Sequence, residues 1–98
     1  MNAVHFTPGA RTAWHRHPFG QVLYVTEGVG LVGTKDGSVE RIEAGDVVNF
    51  DPDEEHWHGA DPKRFMTHVA LQEVDDEGNA AYWGEPVADE DYLAAPQG

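Results

Sequence analysis

Turn signals interrupt this chain every few residues, at Pro8-Gly9, Pro18-Phe19-Gly20, Glu27-Gly28, Asp36-Gly37, Ala44-Gly45-Asp46 and Asp51-Pro52-Asp53. The runs between them are short and rich in Val, Tyr, Phe and Thr. That pattern predicts strands over 3–7, 12–17, 21–27, 29–35, 38–43, 47–50, 55–59 and 64–73, and an all-β sandwich or barrel. Side chains two apart on a strand share a face. Gln21, Leu23 and Val25 therefore line one side of their strand, and Met66, His68, Ala70 and Gln72 one side of theirs. Asp36-Gly37, between Val29–Lys35 and Ser38–Glu43, suits a type I′ hairpin turn. No segment before residue 85 sustains a helical period. Farther on, Asp89 can cap a short C-terminal helix with acids in its first turn. The chain reads as one domain, with a barrel core over 1–74. Residues 75–98 add an acidic loop (Asp75 to Asn79), an edge strand and the short helix.

Composition narrows the classes. A 98-residue chain builds a modest core, which favours a homodimer. Six Lys and Arg against 18 Asp and Glu give a formal charge of −12. A surface of that sign repels phosphate backbones and anionic membranes, so neither nucleic acid nor membrane is an expected partner. Cysteine is absent, so disulfides, thiolate metal sites and a cysteine nucleophile are excluded. No apolar run reaches membrane-spanning length and no leader pattern precedes the first strand; the expected location is the cytoplasm.

The candidate chemistry lies in the histidines. His15 and His17 are two apart, as are His56 and His58, so each pair projects from one strand face. Taken alone, His15 and His17 could be surface residues flanking Arg16; the second pair argues against this. The turn Pro18-Phe19-Gly20 can return Gln21 beside the first pair. Several imidazoles and one oxygen donor make a transition-metal site, suited to Mn, Fe, Co, Ni or Zn. His68 sits on the apolar run 65–72, either as a cavity residue or as a satisfied core histidine. His5, between Val4 and Phe6, points to the opposite side from them, toward solvent or an interface. Trp14 and Trp57 alternate with the histidines and should pack away from them. Arg11 and Thr12 precede the first pair, where they could touch a substrate, and Arg11 could instead form an ion pair.

These residues carry a resemblance to the cupins. Gly9, five residues, His15-Arg16-His17, three residues, Gln21, six residues and Gly28 reproduce the spacing of the first cupin motif, with Gln21 in place of its acid. Gly45 through Pro52, then His56, is similar to the second motif. It departs from it in having Asp53-Glu54-Glu55 where a Gly is usual, and Ala60 where an Asn is frequent. The resemblance covers about residues 3–73. It implies a single cupin barrel (a double-stranded β-helix, or jelly roll) that binds one divalent metal through His15, His17, Gln21 and His56. The wording around both motifs is closer still to the small manganese-dependent hydroxynitrile lyase cupins. That likeness implies manganese as the favoured ion, His58 and His68 as catalytic histidines, and a small hydroxylated substrate such as a cyanohydrin. Val4, Thr12 and Gln72 would line its pocket. The alternatives are a cupin oxygenase and a non-catalytic metal- or ligand-binding module.

Overall fold

The computed structural model describes residues 2–35, 37–71 and 81–93. In chain order the elements are β1 (Asn2–Phe6), β2 (His15–Arg16), β3 (Gln21–Thr34), β4 (Val39–Glu43), β5 (Val47–Phe50), β6 (His56–Ala60), β7 (Met66–Leu71), β8 (Tyr82–Trp83) and α1 (Asp89–Tyr92). The strands hydrogen-bond in the order β1-β7-β3-β6-β2-β8, with β4 and β5 also paired to β3, and form one curled, all-antiparallel sheet. No described helix is long and apolar enough to cross a membrane.

β3 organises the molecule. Two strands were expected here, separated by a turn at Glu27-Gly28. Instead the chain runs through as one 14-residue strand. Its first half pairs with β7 and β5, and its second half with β4 and β6. The two halves differ in which residues face the interior. Leu23 and Val25 point inward before the register break between Val25 and Glu27, and Val32 points inward after it. One extra residue, Thr26, reverses the parity, as a bulge does. Gly28 follows at φ 80°, and a side chain there would run into the Phe65 backbone. Bulge and glycine together bend the strand where a turn was expected, so that one strand serves both halves of the barrel.

The interior cluster contains Leu23, Val25, Val32, Ile42, Phe50, Ala60, Met66 and Ala70. Leu23 and Val25 are wholly buried, and each contributes roughly 1.5–3 kcal/mol of hydrophobic free energy. A second cluster lies outside the barrel wall, where Leu31 and Trp57 pack under Val87 and Tyr92, with Trp14 and Val39 at its edge. Trp14 and Trp57 thus pack away from the histidines, as the alternation required. A single helical turn has no stability of its own, and side chains hold α1 in place. The Tyr92 hydroxyl donates to the Ala60 carbonyl. The Arg11 guanidinium lies 4.3 Å from the Tyr92 ring centroid and donates to the Val87 carbonyl (2.9 Å) and to Asp89 (2.6 Å). Arg11 is therefore an ion-pairing anchor for the C-terminal segment, and it is not among the residues that line the histidine cavity. Asp89 does not cap α1 either: the cap position is Ala88, without a side-chain bond, and Asp89 is the first helical residue.

The β3–β4 hairpin also differs from expectation. It is closed by Thr34 N–H on the Ser38 carbonyl and Gly37 N–H on the Thr34 carbonyl, a longer connection than a two-residue type I′ turn. Gly37, at φ 91°, supplies the left-handed residue. The acidic loop from Asp75 to Asn79 lies outside the described residues. On the outer face of the sheet, Ala3, Val69, Tyr24 and Val47 form a row across β1, β7, β3 and β5, and Tyr24 and Val47 are exposed.

Candidate metal centre

Two antiparallel strands bring the histidine pairs together. His15 on β2 is in register with His56 on β6, and the rings lie 4.4 Å apart. Only His15 and Arg16 are paired in the segment expected to be a strand over 12–17. The residues ahead of them are tied down differently: Thr12 N–H donates to the His58 carbonyl (2.9 Å), Trp14 N–H donates to the Glu85 carbonyl (2.8 Å), and His58 N–H donates to Thr12 Oγ1 (3.2 Å). After His17, the turn at Pro18-Phe19-Gly20 returns the chain. Gly20 (φ 83°) passes so close to β5 that a Cβ would stand 2.6 Å from the Phe50 carbonyl oxygen. Gln21 is thereby placed beside the imidazoles, with Oε1 3.0 Å from His56 Nε2.

His15, His17, Gln21, His56, His58 and His68 are all buried. Ring nitrogens of His15, His56 and His58 lie within 4.8 Å of one another, a group able to hold one metal ion. The His17 ring packs at its edge, 5.0 Å from His15 and 5.4 Å from His56. His58, set aside for substrate in the sequence reading, thus stands inside the same cluster as the expected ligands.

The hydrogen bonds assign the protons. A carbonyl oxygen only accepts, so His15 Nδ1 must donate to the Ala13 carbonyl (2.9 Å) and His56 Nδ1 to the Glu54 carbonyl (2.9 Å). In the neutral rings, Nε2 then carries the lone pair and faces the cluster. Such outer bonds orient metal-ligating histidines and fix their tautomer. The Phe50 ring stacks on His56 at 3.6 Å, nearly parallel, and holds its plane. The His56 lone pair faces the carbonyl oxygen of Gln21, an arrangement of two acceptors that a shared cation relieves. His58 is held in another way: its Nδ1 meets His68 Nε2 at 3.1 Å, and its Nε2 has no hydrogen-bond partner. An unpartnered, buried ring nitrogen beside two lone pairs fits a metal or substrate contact.

Burial keeps the rings neutral. His15 is lowered to about 4, first by desolvation and then by His17, against the bond to Ala13. His56 is lowered to about 3 by desolvation, with His15 and His17 adding to it. His58 lies well below its usual value through burial, then His68 and the other histidines. His68 is lowered by burial. Neutral imidazole is the form that binds metal.

A cavity of about 260 Å³ opens onto this cluster. Val4, Thr12, Phe6, Ala70, His15, His17, Gln21, His58, His68 and Trp83 line it. Val4 and Thr12 are thus brought to one cavity with the histidines, and Gln72 lies outside the described residues. Phe50 and Trp83 were not anticipated. Trp83 reaches His15 from far along the chain, and Phe50 reaches His56 across the turn between β5 and β6; strand alternation carries no signal for either.

Comparisons with known proteins agree with this architecture. The cupin domain family model matches residues 2–69. The chain is 57% identical over 90 residues, covering 92% of its length and 68% of the relative's, to a protein of Granulicella tundricola named (R)-mandelonitrile lyase. Its structure is similar to that of a cupin-like protein from Thermotoga maritima, with TM-score 0.88 and 38% identity over 98% of this chain and 71% of the other. A DMSP lyase from Ruegeria pomeroyi shares the fold at 20% identity and TM-score 0.69, over 89% of this chain and 43% of that one. With the family model covering most of its length and all-β topology to match, this chain belongs to the cupin domain family.

Proposed function

We propose that this chain is a divalent-metal-dependent lyase acting on a small hydroxylated substrate such as a cyanohydrin. The observation that carries the reading is the division of labour among the buried histidines. His15 and His56 are each locked by a backbone carbonyl, as ligands are. His58 is coupled instead to a second imidazole, which can exchange a proton with it. His15, His17, Gln21 and His56 would hold the ion, and manganese is the ion we favour. The donor set is wholly neutral and leaves the charge of the ion uncompensated. A divalent ion held there would supply Lewis acidity toward a substrate hydroxyl.

The protein supplies the rest. Val4, Phe6 and Ala70 offer an apolar wall for the carbon skeleton. His58, neutral at pH 7, accepts the hydroxyl proton at Nε2. The O–H electron pair becomes the second bond of the new carbonyl, and the C–C bond to the nitrile carbon breaks with its pair on cyanide. Burial makes His58 a reluctant holder of the proton, which passes from it to the departing cyanide. His68 Nε2 holds the His58 ring in the orientation that presents Nε2 to the cavity. The identity with a relative named as a mandelonitrile lyase supports the reaction class.

The test is elemental analysis of protein produced with added manganese, together with cyanide release from mandelonitrile. The expected result is near-stoichiometric metal that His15→Ala removes. His58→Ala is expected to retain metal and to lose at least a hundredfold in kcat, the scale of general acid–base catalysis. Loss of the metal in His58→Ala would instead make His58 a ligand, and absence of cyanide from the loaded protein would refute the lyase reading.

A further inference from the structure

Trp83 combines two properties that rarely coincide. It is 66% exposed, yet it lines the histidine cavity, and its ring lies 4.7 Å from that of buried His15. An exposed aromatic side chain is by itself ordinary; its place on the cavity distinguishes this one. The position of this one is well defined. β8 pairs with β2, placing Trp83 directly opposite His15, and Gly84 N–H donates to the Trp14 carbonyl at 2.6 Å. Arg16 lies 4.4 Å from the centroid of the Tyr82 ring and ties the same two strands together again. The indole therefore stands on a braced edge strand at the outer rim of the cavity. Val4, Phe6 and Ala70 line the same cavity, together with the buried imidazole donors.

We propose that Trp83 is a specificity-determining residue whose indole stacks on a flat aromatic group of the ligand, so that the site favours aryl-bearing alcohols over small alkyl ones. The proposal rests on the reading of the cavity as a site for a small hydroxylated molecule. A ligand whose hydroxyl reaches the imidazoles must extend its remaining carbon toward the mouth. A three-carbon alcohol stays within the inner part of a cavity of about 260 Å³. A phenyl ring reaches the rim, where the exposed face of the indole offers the remaining contact. Aromatic stacking of this kind strengthens binding about two- to twelvefold beyond the area it buries.

The experiment titrates the full chain with benzyl alcohol and with 2-propanol, following the histidine and indole resonances by NMR, both with manganese removed and with a diamagnetic zinc ion bound. Wild-type protein is expected to bind benzyl alcohol more tightly. Trp83→Ala should weaken benzyl alcohol about two- to twelvefold and leave 2-propanol unchanged, and Trp83→Phe should restore most of the loss. Equal weakening of both alcohols, no change in either, or no wild-type preference for benzyl alcohol overturns the proposal. So does a changed oligomeric state in Trp83→Ala with an unmoved preference, which would assign the indole to an interface. The reading of the reaction fails separately. Expected binding ratios without cyanide release would remove the lyase activity and keep the role of Trp83. Cyanide release with an unaltered ratio of kcat/KM for mandelonitrile over acetone cyanohydrin in Trp83→Ala would keep the lyase and remove that role.

Discussion

The buried imidazoles make the metal-free protein sensitive to mild acid. In the unfolded chain a histidine takes up its proton near pH 6.5. In the folded chain His15 resists protonation down to about 4 and His56 down to about 3. Below pH 6.5 the unfolded state therefore binds more protons, and acid favours it. The full stability is present above pH 6.5 and is lost as the pH falls toward those two values. Each ring costs up to about 1.4 kcal/mol per pH unit inside its window, and with the unfolded rings half protonated at pH 6.5 the two together remove about 3 kcal/mol between pH 6.5 and 5. That is a large share of the roughly 5–15 kcal/mol that stabilises a domain. Urea unfolding of chelator-treated protein at intervals between pH 7 and 5 measures the slope directly. It should correspond to at least two protons taken up on unfolding, since His58 and His68 are shifted in the same direction. His56→Gln should remove about one proton from that slope, or about 1.4 kcal/mol per pH unit. A divalent ion in excess should shift the acid transition to lower pH, because it competes with protons for the same nitrogens. Stability that is flat between pH 6.5 and 5, or a His56→Gln slope equal to wild type, would refute the argument.

Three further outcomes are expected. Tyr92→Phe removes the bond to the Ala60 carbonyl while keeping the ring over Trp57; a cost of about 1 kcal/mol should lower Tm by about 4–8 °C in calorimetry, and an unchanged Tm would show that the hydroxyl does not anchor α1. Gly33→Ala forces a methyl group into the Trp57 indole; overpacking should cost about 1–3 kcal/mol in urea unfolding, and a neutral result would mean that the indole moves aside freely. Tyr24 and Val47 lie on a charge-free apolar row of a strongly acidic chain; if a second copy covers it, the Tyr24→Lys, Val47→Lys double variant should elute as a monomer where wild type elutes as a dimer, and unchanged elution would exclude that face.

How much of this was legible depended on whether a feature was local. Strand parity places His15 with His17, His56 with His58, and Met66, His68 and Ala70 together, because alternation is a property of a few adjacent residues. The continuity of β3 was not legible. Glu27-Gly28 has the composition of a turn, and only the approach of the Phe65 backbone shows that the glycine permits a bend between paired strands. The shortness of β2 was hidden for a similar reason, since the bonds of Thr12 and Trp14 go to His58 and Glu85, far along the chain. Trp83 on His15 is likewise made by a distant segment, and Phe50 on His56 depends on the course of the turn between β5 and β6. The exposure of Phe65 and Leu71 could not be read either, because parity separates the two faces of β7 without saying which neighbours cover the outer one.

The bonds from His15 to Ala13 and from His56 to Glu54 share one construction: each imidazole donates to the main-chain carbonyl two residues earlier. No point substitution deletes that acceptor. Positions 13 and 54 can change their side chains and leave the rings aimed as before, so long as the local backbone course survives. The orientation of these two rings is thus insulated from mutational drift in a way that the Gln21 side chain and the His58–His68 pair are not. Divergence among chains built this way should fall first on the amide and on the imidazole pair, altering the charge and proton handling of the centre while its two best-fixed nitrogens stay in place.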